Sequence, residues 1–155
     1  MAVDMGTAGS AGYEAFHRLD VLPRTIQIKS FINLSPLGQP GGGINEPLER
    51  KVIPEQKIRE LSRKYAGEIL GIKVRLSRAI VGKEEIAPLD HALQLGEELG
   101  LPVCVHTTDP PVCPAEIVRR LRPGDIYSHM YHNKGMTILD SEGKVYREFS
   151  EARER

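Results

Sequence analysis

At 155 residues the chain is long enough for one ordinary domain with its own core, and residues 1–155 read as a single domain. Its 21 acidic and 21 basic side chains cancel, so no net field favours nucleic acid or an anionic membrane as a partner. No apolar run approaches the roughly 20 residues of a membrane-spanning helix. The start of the chain lacks the basic and apolar blocks of a secretion signal, and Cys104 and Cys113 do not make a zinc ribbon or a disulfide scaffold, so a cytoplasmic protein with reduced thiols is expected.

The predicted elements alternate. His17 falls in the polar N-terminal region, where it is expected at the surface. "TIQIKSFINLS" (25–35) is rich in β-branched and aromatic residues and predicts a strand. "PEQKIRELSRKYA" (54–66) has a proline at its start and Ile58, Leu61 and Tyr65 on one helical face. "EILGIKVRLS" (68–77) is the next strand. "APLDHALQLGEELG" (87–100) is a helix closed by Gly100, with His91 expected on its surface. "LPVCVHTT" (101–108) predicts a strand, "CPAEIVRRL" (113–121) a helix, "GDIYSHMYH" (124–132) a strand and "EFSEARER" (148–155) a charged terminal helix. Strands separated by helices imply parallel β-α-β units. One connection is long: 35–53 follows a strand and contains three consecutive glycines. A long loop at the C-terminal end of a parallel strand is a natural place for a site.

Alternation gives each strand two faces. Ile72, Val74 and Leu76 oppose Lys73, Arg75 and Ser77. Val103 and Val105 oppose Cys104 and His106. Asn33 falls on the face opposite Ile32 and Leu34, and Tyr127, His129 and Tyr131 oppose Ile126, Ser128 and Met130. Each strand thus has an apolar face for helices and a mixed face whose polar residue comes late: Asn33, Lys73, His106, His129. Parallel strands bring their C-terminal ends to one rim. Singly, each histidine is more often a hydrogen-bonded core residue than a ligand, and Lys73 reads equally as an edge lysine that deters aggregation. Jointly, a lysine and two histidines at three successive strand ends point to chemistry. Neutral imidazole binds zinc and related ions. An ammonium has no lone pair. Lysine becomes a ligand when its neutral amine captures carbon dioxide, and the two carbamate oxygens can bridge two metal ions.

The stretches "VDMGTAGSAG" (3–12), "FINLSPLG" (31–38), "GIKVRLS" (71–77), "LPVCVHTTDPP" (101–111), "LRPGDIYSHMYHNKG" (121–135) and "ILDSEGKVYREFSEARER" (138–155) resemble the amidohydrolase superfamily, in its dihydroorotase-like amidohydrolase/deacetylase branch. They run in family order over nearly the whole chain. The resemblance implies an α/β fold, a (β/α)8 TIM barrel with a metal centre at the C-terminal rim. It implies that Lys73 is the carboxylated bridging ligand and that His106 and His129 are metal histidines. The implied cofactors are a divalent metal, zinc, as two ions in the complete enzyme, and carbon dioxide for Lys73. The implied substrate is a small molecule with an amide, a cyclic amide or an acetyl ester, with acetylated 2-hydroxy acids and N-acyl amino acids among the candidates. Arg75 is the candidate contact for a substrate carboxylate, because its fork donates two hydrogen bonds, and an internal ion pair is the competing use. Asn33 and loop 36–53 are expected beside it.

The departures from the family are specific. The family carries His–x–His on its first strand, and this sequence has no His–x–His. The family's general-base aspartate follows the eighth strand, and neither Asp109 nor Asp125 matches it, so no catalytic residue is assigned. After His106 the chain reads Thr107-Thr108-Asp109, where relatives more often have a hydrophobic residue and glycine. The expectation is a barrel incomplete at both ends, about strands two to six, with "MAVDMG" and "IYSHMYH" as open edges. Such edges favour self-association into a homo-oligomer. A non-catalytic remnant and a Schiff-base aldolase using Lys73 are the alternatives.

Overall fold

The β-branched runs become five parallel strands, and their order across the sheet is their order in the chain. A computed structural model describes residues 1–39 and 46–155. The triple glycine at 41–43 lies outside the described residues. The strands are β1 (Ala2–Asp4), β2 (Ile28–Asn33), β3 (Ile69–Arg75), β4 (Val103–His106) and β5 (Ile126–Ser128). Sequential order without reversal is the winding of a barrel; a doubly wound sheet changes direction. The fold is a partial (β/α)8 barrel, with β1 and β5 as its edges.

Helices fill the crossovers where expected. In α2 (Glu55–Lys64), which follows Pro54, Ile58 and Leu61 are buried. In α4 (Ala87–Leu99), Leu89, Ala92 and Leu95 are buried, and Gly100 closes the helix with φ +65. α5 (Pro114–Arg120) and α6 (Arg147–Glu154) pack on each other. The outer strand face, Ile32, Leu34, Ile72, Val74, Leu76, Val103 and Val105, joins Leu89, Ala92, Leu95 and Ile117 in one core cluster.

Two helical turns were not visible as periodic patterns. α1 (Tyr13–Phe16) continues into a wide π-type turn over His17–Val21. It is docked by Tyr13, whose hydroxyl lies 2.7 Å from Ser30 Oγ. α3 (Arg78–Val81) is a single turn after β3.

His17 and His91 are buried, contrary to the surface positions expected for them. The His17 ring lies 4.6 Å from that of Tyr65 in a tilted arrangement, and its Nε2 lies 2.6 Å from Glu68 Oε2. His91 sits one turn from Leu95 on the buried side of α4, with Nε2 2.7 Å from Glu55 Oε1. In both cases a carboxylate from another part of the fold partners Nε2, which offsets the cost of burial, while Nδ1 of His91 is buried without a partner among the described residues.

The last strand also differs. It spans three residues because His129 has φ +62, which breaks the extended backbone. Its faces are the reverse of those expected. Tyr127 packs against Phe149 of α6 at 5.0 Å, so the helix face carries Tyr127. Ser128 is on the inner face, where it meets Lys73.

Candidate metal centre

Register aligns the inner face. Asn33 pairs with Lys73, and Lys73 with Cys104. One pleat further on, Arg75 pairs with His106, and His106 with Ser128. Partners in a parallel ladder project to the same side, so these side chains share one concave face.

Lys73 is 2% exposed in the middle of that face. Its Nζ donates to Ser128 Oγ at 3.2 Å and to Cys104 Sγ at 3.4 Å. The loop after β1 crosses the lysine stem at Gly6, where φ is +92 and a Cβ would collide with Lys73 Cβ. Only glycine fits both the left-handed backbone and the contact. Asp4 ties this loop down, since its Oδ2 accepts from the Gly6 and Thr7 amides at 3.1 and 2.9 Å. Asn33 fastens the other side: its Nδ2 donates to Gly6 O at 3.0 Å, and its Oδ1 accepts from Ser35 N at 2.9 Å. Asn33 is fully buried, and its amide holds backbone.

His106 arrives by simple alternation at the end of β4. His129 does not. Its backbone turns left-handed one residue after β5, and that turn delivers the ring to the cavity. Thr107 steadies the turn, with Oγ1 donating to Ser128 O at 2.8 Å. The two imidazole centroids are 4.4 Å apart. Burial first, and then the positive surroundings of His129, Lys73, Arg75 and His132, push His106 down to about 3. Burial and Lys73 push His129 down as well. His106 is therefore neutral at neutral pH, with one ring nitrogen lone pair free for a cation.

Met5, Thr7, Gln39, Lys73, Arg75, His106 and His129 line one cavity of about 260 Å³. The structure thus brings Lys73, Arg75, His106 and His129 together, while Asn33 lies behind the Gly6 loop. A larger groove of about 650 Å³ runs beside β5 between α5 and α6, lined by Leu121, Tyr127, Ile138, Val145 and Phe149 among others. It is mostly apolar and belongs to the outer face.

The described ends of the long loop reach the cavity. Gln39 lines it, and Glu46 meets Arg75, with Oε1 3.0 Å from Nη1. The Glu46 side chain is fully buried. The distance is that of an ion pair, yet neither Glu46 oxygen has a hydrogen-bond partner among the described residues. The contact is an ion pair whose alignment falls short of a hydrogen bond. Burial pushes Glu46 up to about 7 against the opposing pull of Arg75 and Lys73.

As a donor set for a metal, the site is half ready. The imidazoles suit zinc, but the Lys73 ammonium does not until it becomes a carbamate. Among the described residues, no group of three or more His, Cys, Asp or Glu side chains is placed to hold a metal ion. Sequence reasoning missed Gly6, Glu46, Thr107 and Ser128 as parts of this site. For Gly6, Glu46 and Thr107 there was no periodic signal, and for Ser128 alternation pointed to the wrong face.

No family model matches the chain. It is similar to a deacetylase of Brucella anthropi, 32% identical over 142 residues, which cover 90% of this chain and 35% of that protein. A deacetylase of Agrobacterium fabrum is 31% identical over the same shares. A deacetylase of Enterococcus faecalis is 26% identical over 96% of this chain and 40% of its own. Among solved structures, a dihydroorotase superposes with a TM-score of 0.87 at 30% identity, over 98% of this chain and 42% of its own. An adenine deaminase gives 0.88 at 25% identity, over 98% and 41%. The chain spans about a third to two-fifths of the length of the curated relatives it matches.

Proposed function

We propose that this chain, which belongs to the amidohydrolase superfamily, carries one part of a hydrolase metal centre that acts on an amide, cyclic amide or acetyl ester of a small molecule. The observation that supports this best is the single cavity shared by Lys73, His106 and His129 from three neighbouring strands. The names of the relatives, deacetylases and a dihydroorotase, favour the same reaction class.

His106 and His129 would hold a divalent ion, zinc by the nature of the donors. Lys73 would join them after its amine loses a proton and forms an N–C bond to carbon dioxide. A zinc ion bound there would supply Lewis acidity and lower the pKa of a water molecule. Arg75 would bind a substrate carboxylate at the cavity wall. Asn33 and Asp4 would act through the Gly6 loop, keeping Lys73 shielded from bulk water.

The chain alone is expected to be a poor catalyst. No described residue stands in the role of a general base beside the histidines, and such help is typically worth about 10²–10⁴-fold. Without two cations the Lys73 carbamate reverts to ammonium, which repels a metal. The test is an assay of the purified chain with zinc and bicarbonate against acetyl esters of 2-hydroxy acids and N-acyl amino acids. Turnover at background is expected. Turnover above background that disappears in Lys73→Ala would show that a second copy completes the centre.

A further inference from the structure

Among the described residues, Arg75 is engaged from one side. Glu46 takes Nη1 at 3.0 Å, and the other edge of the fork, Nε with Nη2, is not used by Glu46. Nε is buried and has no acceptor among the described residues. The Nε–Nη2 edge is the one that receives a carboxylate with two parallel hydrogen bonds. Arg75 also lines the cavity that holds the two histidines, and it pairs with His106 across the ladder. A carboxylate on that edge would share the cavity with His106, whose strand position is paired with that of Arg75.

Glu46 is a poor anchor if its task is stability alone. Its side chain is fully buried, its oxygens make no hydrogen bond to a described residue, and it has one cationic contact. Buried ion pairs are net stabilising only when hydrogen bonds complete them. What this pair does accomplish is to fix one end of a flexible side chain that lines the cavity, while its buried Nε is left without an acceptor among the described residues.

We infer that Glu46 is a positioning residue, which holds Arg75 by Nη1 so that its Nε–Nη2 edge receives the carboxylate of a short acylated acid. This rests on the reading of Arg75 as the substrate contact. The pair also narrows the ligand. With Glu46 supplying a negative charge at Nη1, a flat two-oxygen carboxylate is favoured over a bulkier polyanion that would approach Glu46 as well.

The test is titration of the 155-residue chain with N-acetylglycine, following the Arg75 Nε–Hε signal by NMR and the dissociation constant by calorimetry. N-acetylglycinamide, which lacks the carboxylate, is the control. The wild-type chain should bind N-acetylglycine with a shift of the Hε signal, and the amide should not bind. Glu46→Gln should weaken binding about tenfold, equivalent to about 1.4 kcal/mol, and broaden the free Hε signal while other resonances stay in place. Arg75→Lys keeps a cation beside Glu46 but has no fork, and it should lose binding as well. Binding as tight in Glu46→Gln as in wild type overturns the role of Glu46 while leaving Arg75 as the contact. Binding retained in Arg75→Ala or Arg75→Lys overturns the Arg75 reading itself. No binding to the wild-type chain overturns both.

Discussion

The central strands and the edge strands of this sheet deliver residues to the same cavity by different means. Ile72 and Val74 of β3 and Val103 and Val105 of β4 are fully buried, with a partner strand on both sides. Val3 of β1 and Ile126 of β5 are 40% and 39% exposed, and each strand has one neighbour. In the centre, two ladders fix the pleat, and alternation alone aims Lys73 and His106. At the edge the pleat ends after three residues, and a left-handed backbone aims His129. Lys73, Arg75 and His106 are therefore set by the core, and His129 by a turn that Thr107 props.

The largest contrast should appear in stability. Ile72→Ala removes fully buried atoms between two strands and should cost about 2–5 kcal/mol. Val3→Ala should stay within about 0.5 kcal/mol. Urea unfolding of both variants measures this, and equal costs would erase the distinction between centre and edge.

A second contrast concerns a charge held against the centre. Glu46 has an ordinary value of 4.5 and is pushed up to about 7 in the fold. The folded chain thus binds this proton more tightly than the unfolded chain. The stability it contributes is complete below pH 4.5 and is lost as pH rises through 7. Glu46→Gln should gain about 3 kcal/mol over wild type above pH 7 and nothing in acid. His106 runs the other way in the metal-free chain. Its value falls from 6.5 to about 3, so its contribution is complete above 6.5 and is lost as pH falls towards 3. Denaturation at a series of pH values resolves the two slopes, and a flat difference between Glu46→Gln and wild type would refute the first.

Smaller effects lie at the edge. Thr107→Val removes the hydrogen bond to Ser128 O and should cost about 1 kcal/mol. It should also broaden the His129 ring signals while sparing those of His106. His129→Gly relieves the left-handed backbone and should stabilise the chain by about 0.5 kcal/mol, at the expense of one metal donor. A destabilised glycine variant would show that the His129 ring contributes more to packing than its turn costs.

The sequence was most legible where the backbone is regular. Lys73 and His106 could be placed because β3 and β4 keep a strict period of two and a fixed register. His129 was placed in the cavity by an alternation that the strand does not sustain, and the same alternation put Ser128 and Tyr127 on each other's faces. Glu46 comes from a loop without a period, so nothing local linked it to Arg75. His91 did carry a signal, its spacing of four from Leu95, but an ionisable side chain on a helix reads as solvent-facing until its carboxylate partner on another helix is known.

Zinc titration of the metal-free chain near neutral pH, followed by calorimetry and by the imidazole signals in NMR, tests the shared cavity most directly. One weakly bound zinc ion per chain is expected, with the His106 and His129 rings shifting together and binding lost in the His106→Ala/His129→Ala double variant. Binding that survives unchanged in the double variant, or a shift confined to one of the two rings, would contradict the convergence of these residues on a single metal centre.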